Sequence, residues 1–148
     1  MRKIILLCAL LAAPVMGRAD PSPFTSQKEI EAFFDASPVR LAIYTEYIVA
    51  PDFKELAVQN SWANISADKS DGKDARTEKL SALVAALTDI EAQWSDGIRR
   101  VLDISSLTRA EMDQIIKYML DRRAVATQVK KQINGALASL GVTPAKKS

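Results

Sequence analysis

Two long stretches in the C-terminal half of the chain repeat apolar residues every three or four positions, which places those residues on one face of an α-helix. The stretches cover 77–103 and 109–140. The short link between them, 104–107, predicts a long antiparallel helical hairpin. The apolar positions are Leu80, Val84, Leu87, Ile90, Trp94, Ile98 and Val101 in the first helix, and Met112, Ile115, Met119, Ala126, Val129 and Ile133 in the second.

The second of these helices has clear end signals. Thr108 followed by Glu111 is a capping-box pattern, and Leu107 and Met112 have the spacing of a hydrophobic staple. Gly141 is a typical helix stop, so we expect residues 142–148 to form a loose tail.

In two antiparallel helices, two residues lie at the same height when their residue numbers add up to a constant value. A sum of 213 aligns the two apolar faces. The same alignment predicts three charge pairs across the hairpin, Glu91 with Arg122, Asp96 with Lys117, and Arg100 with Asp113.

Arg122 and Arg123 interrupt the apolar face of the second helix. In the predicted register Arg122 pairs with Glu91, while Arg123 covers Ile90 with its methylene stem and reaches Asp89 or a carboxylate of the N-terminal helices. Residues 20–72 carry nine acidic and four basic residues, and residues 73–148 carry nine acidic and thirteen basic residues, so opposite charge favours packing the two halves together. The alternative is that the two arginines form an anion-binding pair.

The N-terminal half also has helical patterns. Ser26 and Glu29 predict a capped helix that stops before Pro38, and the apolar segment 39–50 predicts the most buried helix of the fold. Pro51 predicts a kink or a restart, after which Phe53, Leu56, Ala57 and Ala63 lie on one side. The polar stretch 66–75 is predicted to be a loop. The expected fold is therefore all-α, a single helical domain over 20–148 built as a bundle of about four helices.

The first nineteen residues have the pattern of a secretory signal peptide. Arg2 and Lys3 precede a short apolar run, and Gly17 and Ala19 provide small residues before a cleavage site. We expect export, with cleavage near Ala19 and a mature protein in the periplasm or outside the cell. Removing three cations leaves the mature chain slightly acidic, so nucleic acid is not an expected partner.

The residues that are absent narrow the chemistry. The chain has no histidine, and its one cysteine, Cys8, lies in the predicted signal peptide. Histidine- or cysteine-based catalysis, the usual zinc sites and haem ligation are thereby excluded for the mature chain. Glu46, Asp52 and Glu55 offer paired carboxylates, but solvated charges near a helix kink give the same pattern, so we predict no enzyme activity, no catalytic residues, no metal site and no cofactor.

Surface recognition is the function class that remains. Tyr44 and Tyr47 share a helical face and predict either core packing or an aromatic binding patch. The sequence favours an exported accessory, chaperone-like or inhibitory protein that binds another protein through a helical face, with contact residues unknown. The alternative is an envelope protein that binds a lipid or acyl ligand beside Leu41–Val49, with Lys130 and Lys131 near the head group.

Overall fold

The computed structural model describes residues 24–68 and 70–142, and these ranges form an all-α bundle. The helices are α1 (Gln27–Asp35), α2 (Pro38–Ile43), α3 (Val49–Ala67), α4 (Lys73–Leu102) and α5 (Arg109–Ser139). A π-helical turn, Tyr44–Ile48, joins α2 to α3 without a break in the helix. Counting α2, this turn and α3 as one rod, the predicted bundle of about four helices is confirmed. The predicted signal peptide, 1–19, lies outside the described residues.

The predicted hairpin of α4 and α5 is confirmed and supplies most of the core. Its antiparallel direction follows from cross-helix contacts that pair Ser95 with Arg123 and Glu91 with Thr127. The side chains buried between α4, α5 and the N-terminal helices include Leu80, Leu87, Ile90, Trp94, Val101, Ile115, Met119, Ala126 and Ile133.

The predicted ends of α5 are also confirmed. The Thr108 hydroxyl accepts a hydrogen bond from the Glu111 backbone N–H at 3.1 Å, and the Glu111 carboxylate accepts one from the Thr108 N–H at 3.0 Å. At the other end, Gly141 adopts a φ of 84°. This conformation lets the Val142 N–H reach the Leu137 carbonyl at 3.0 Å, which closes the helix with a Schellman motif. Residues 143–148 of the predicted tail are outside the described ranges.

The predicted charge pairs of the hairpin were wrong. Asp96 contacts Arg99 at 2.5 Å and Arg100 at 4.0 Å, both in its own helix. Asp113 lies 3.9 Å from Arg109, again in its own helix. The cross-helix contacts of Ser95 with Arg123 and of Glu91 with Thr127 both have residue numbers that add up to 218 and not to the predicted 213, so the predicted charge partners do not face each other. The charged residues pair within their own helices instead.

The rod formed by α2 and α3 is less buried than predicted. Ile43, Tyr44 and Ile48 face the core, whereas Val49 is 40% exposed and Phe53 is 57% exposed. Pro51 lies near the start of α3 but inside a continuous helical rod, so the chain does not restart at this proline; the π-helical turn that ends at Ile48 comes shortly before it. The connection from α3 to α4 is shorter than the predicted 66–75 loop, since α3 extends to Ala67 and α4 begins at Lys73.

A cluster of aromatic rings holds α1 against the rest of the bundle. Phe34 is fully buried, with ring centroids 5.1 Å from Tyr44 and 6.1 Å from Tyr118. Tyr118 in turn lies edge-on to Trp94 at 6.5 Å. These contacts join α1, the π-helical turn, α4 and α5 in one apolar core.

Candidate functional site

The inner face of α3 carries two acidic residues into the core. Ile48, Asp52 and Glu55 are spaced four and three residues apart, so they lie on one side of the helical rod, and all three are buried. Phe53 and Leu56, which were predicted to lie on one side of the helix, are separated: Leu56 is buried and Phe53 is turned outward. The core side of α3 is therefore partly polar, and its outer side is partly apolar.

Arg122 of α5 is the counter-ion of these acids. Its Nη2 donates to Oε2 of Glu55, and its Nε lies 3.4 Å from Oδ1 of Asp52. The Tyr118 hydroxyl donates to Oδ2 of Asp52 at 3.1 Å. Glu55 is fully buried, and Asp52 and Arg122 are 7% and 6% exposed. We call Asp52, Glu55, Tyr118 and Arg122 the buried charge cluster.

The buried charge cluster holds two carboxyl groups against one guanidinium group, and this imbalance affects protonation. Burial raises the pKa of the Glu55 carboxyl to about 7, the attraction of Arg122 opposes that rise, and the neighbouring charge of Asp52 adds to it. Oε1 of Glu55 has no hydrogen-bond partner among the described residues. Glu55 therefore retains a proton over part of the neutral pH range.

Arg122 and Arg123 do not form the anion-binding pair that the sequence left open. Arg122 reaches across to α3, and the partners that hold it there are not the predicted Glu91. Arg123 points to the other side of α5, where its Nη1 donates to the Ser95 hydroxyl at 2.9 Å and not to Asp89. Adjacent residues of a helix point in directions about 100° apart, so two neighbouring arginines rarely serve one site.

Arg123 lines a shallow polar cleft between α4 and α5. The cleft has a volume of about 370 Å³. Within it Glu91 accepts hydrogen bonds from Thr127 and from the Lys130 ammonium group. Most of its polar groups therefore satisfy one another. The lining residues are Thr88, Glu91, Ala92, Ser95, Arg123, Thr127 and Lys130.

A second charged residue, Arg40, fixes the N-terminal helices to α5. Its Nε lies 2.6 Å from Oε2 of Glu111, its Nη1 donates to the Phe33 carbonyl at 3.0 Å, and its guanidinium stacks 4.4 Å above the Phe33 ring. Hydrogen bonds from the Thr108 backbone and from Arg40 lower the pKa of Glu111 to about 2. Sequence reasoning assigned Arg40 no role.

The two tyrosines of the apolar segment are separated by burial. Tyr44 is 3% exposed and packs in the aromatic core, so the predicted core packing is confirmed for it. Tyr47 is partly buried and packs on the core next to α4. An aromatic binding patch made of both rings is therefore ruled out by the structure.

The predicted paired carboxylates are only partly brought together. Asp52 and Glu55 meet at Arg122, whereas Glu46 lies on the exposed side of the rod. No group of three acidic, cysteine or histidine side chains in the described ranges is arranged to hold a metal ion. Over the same residues, no helix combines the length and apolar character needed to cross a bilayer.

The outward side of the rod presents an apolar strip to solvent. Phe53 and Val49 are the largest exposed apolar side chains on it, and they are four residues apart, so they touch the same surface. We call the exposed residues of this side the outer stripe, and they are Ala42, Glu46, Val49, Ala50, Phe53, Lys54 and Ala57.

The outer stripe was missed by the sequence analysis because an apolar residue in an amphipathic helix is assigned to the core by default. The available signal was the spacing of Asp52 and Glu55, which places two acids on the side opposite Ala50 and Ala57. A comparison with known proteins adds no further assignment, since no protein family, curated protein or solved structure matches this chain.

Proposed function

We propose that this chain is an exported helical protein that acts by binding another protein through the outer stripe. The observation that supports this proposal most is that Phe53, an aromatic side chain, is 57% exposed next to the exposed Val49 on a helical face. Aromatic residues are enriched among the anchors of protein interfaces, and single exposed helices are recognised through residues at such spacings.

The rigidity of α3 supports this proposal. The buried charge cluster fixes the inner side of α3 to α5, and Lys54 at its edge lies 3.7 Å from Asp89 of α4. A binding face that is already held in place loses little conformational entropy when a partner docks. The proposed role is that of an accessory, chaperone-like or inhibitory protein in the periplasm or outside the cell, without a cofactor and without enzymatic turnover.

The proposal is tested by capture with matched variants. We expect cross-linking of the native protein in an envelope or secreted fraction to yield a defined partner, and we expect Phe53→Glu to abolish that product. Leu102→Glu is the control, because Leu102 is 55% exposed, close to the value for Phe53, but lies at the end of α4. Equal capture by wild type and Phe53→Glu would reject the outer stripe as the binding face.

Lipid or acyl-chain binding is the second candidate, favoured by the same exposed Phe53 and Val49. Of the two predicted head-group cations, Lys130 is engaged with Glu91, and Lys131 is exposed. Flotation with anionic phospholipid vesicles distinguishes the two. Comigration with vesicles that is lost in Phe53→Glu would assign the stripe to lipid, whereas protein that stays at the bottom of the gradient favours a protein partner.

A further inference from the structure

The outer stripe is complementary to itself when two copies run in opposite directions. We propose that its partner is a second copy of this chain and that α3, together with the π-helical turn before it, forms the interface of a symmetric homodimer. The inference rests on the proposed function, since it uses the same surface, and it adds the identity of the partner.

The charges of the stripe define the arrangement. When a twofold axis relates two antiparallel helices, the residue numbers of two facing residues, one from each copy, always add up to the same value. With the axis at Ala50 that sum is 100, so Glu46 faces Lys54 of the second copy, and Lys54 faces its Glu46. The contact with Asp89 does not prevent this, because the Lys54 side chain is 50% exposed and its distance to Asp89 is 3.7 Å.

The apolar residues fit the same arrangement. Val49 and Phe53 lie on one flank of the stripe and Lys54 lies on the other. The Glu46 and Lys54 side chains, four residues to either side of Ala50, meet nearer the middle of the stripe, whereas each flank stays on its own side of a twofold axis perpendicular to both helices. Phe53 therefore packs beside Val49 of the second copy. Their index sum of 102 is slightly above 100, as expected when side chains lean toward the N-terminus of their own helix.

Small residues allow the two helices to approach closely. Ala50 lies on the axis, and Ala57 lies about two turns away on the same exposed side. Helices in contact pack about 8–10 Å apart, and the smaller values require small side chains at the crossing point. Ala50 at the axis meets this requirement.

A parallel pairing is disfavoured by the same residues. It would bring Glu46 against Glu46 and Lys54 against Lys54, so that like charges meet on both sides of Ala50. The antiparallel pair replaces these repulsions with two attractions. α3 has 19 residues, which is about 28 Å of helix, so one helix from each copy gives an interface at the small end of the specific range. The dimer is therefore weak and reversible.

The first test is a charge swap followed by sedimentation equilibrium over a range of protein concentrations. We expect wild type to dimerise as concentration rises. Glu46→Lys and Lys54→Glu should each raise the dissociation constant about tenfold or more, because each creates two like-charge contacts per dimer. The double variant carrying both changes should recover the wild-type constant, since the pairs are reversed but kept. Circular dichroism of each variant checks that the helical content is unchanged.

The second test locates the axis. Ala50→Cys places two thiols against each other across the twofold, within the Cα separation that a disulfide spans, about 4.4–6.8 Å. Mild oxidation should therefore give a covalent dimer of Ala50→Cys. Ala63→Cys is the matched control, because Ala63 is also an exposed alanine of α3 but lies more than three turns from the axis. Equal cross-linking of the two variants would overturn the arrangement.

The outcomes separate the homodimer from the broader binding function. A protein that stays monomeric at every concentration, or a double variant that fails to recover, overturns the homodimer. If the monomeric wild type captures a different protein and Phe53→Glu abolishes that capture, the outer stripe remains a binding face. Only its assignment to a second copy is then wrong. If Phe53→Glu alters neither self-association nor capture, both proposals fail.

Discussion

At the scale of single residues, Arg122 shows how one side chain can determine the character of two helices. A guanidinium group buried in an apolar face needs an acidic counter-ion, and Asp52 and Glu55 of α3 provide it. Buried ion pairs of this kind are weak sources of stability compared with apolar packing, but removing one partner leaves a buried charge uncompensated. The cluster therefore specifies which side of α3 faces inward.

The stability of Arg122 variants tests this role. Arg122→Met should lower the free energy of unfolding by about 3–5 kcal/mol at pH 8, where Asp52 and Glu55 lose their counter-ion and must either stay buried as charges or take up protons. Arg123→Met is the neighbouring control and should change it by about 0.5 kcal/mol or less, because Arg123 is only partly buried and contacts a neutral hydroxyl. Urea denaturation measures both values. Similar losses in the two variants would show that the cluster does not fix α3.

At the scale of helices, the sequence predicted what depends on local signals. The caps of α5, the stop at Gly141 and the hairpin of α4 and α5 all follow from residues close together in the chain. The partners of Arg122 do not follow from such signals, because the register of α4 against α5 says nothing about the position of α3. The π-helical turn likewise prevents a prediction of which sides of α2 and α3 face inward. Its extra residue rotates the residues of α2 about the helix axis relative to those of α3.

The same turn depends on a close approach by α4. A Cβ added at Gly97 would lie 2.7 Å from Cε of Met119 and 3.4 Å from Cβ of Tyr47. Gly97→Val should therefore lower the free energy of unfolding by about 1–3 kcal/mol, the usual cost of overpacking. Gly135→Val is the matched control in α5, where nothing lies within 4 Å of the added Cβ, and it should be neutral or slightly stabilising. Thermal unfolding of both variants decides whether Gly97 is required for packing.

At the scale of the whole molecule, opposite charges join the two halves of the chain. The N-terminal half provides Arg40, Asp52 and Glu55, and the hairpin provides Glu111 and Arg122. The overall charge difference between the halves was visible in the sequence; Arg122 with Asp52 and Glu55 follows its sign, whereas Arg40 with Glu111 reverses it. The particular pairs were not visible in the sequence, because they require the three-dimensional positions of α2 and α3.

These ion pairs predict an unusual dependence of stability on pH. The pKa of Glu55 is raised from 4.5 to about 7, so the folded state binds more protons in that window and its stability falls as pH rises through it. Each unit of pKa difference corresponds to about 1.4 kcal/mol, which makes the total on the order of 3 kcal/mol. The pKa values of Glu111 and Glu29 are lowered, chiefly by hydrogen bonds from Thr108 and Thr25, so their contribution is present above pH 4.5 and is lost below it.

Stability should therefore be greatest near pH 4.5 and should decline on both sides. Urea denaturation at a series of pH values measures this profile. Glu55→Gln keeps the shape of the side chain but has no proton to lose, so it should remove the decline between pH 4.5 and 7 while leaving the decline at lower pH. Glu46→Gln, on the exposed outer stripe, should leave the whole profile in place. A wild-type protein whose stability rises from pH 4.5 to 7 would show that Glu55 is ionised without penalty, and the buried charge cluster would then not be the acid-excess site described above.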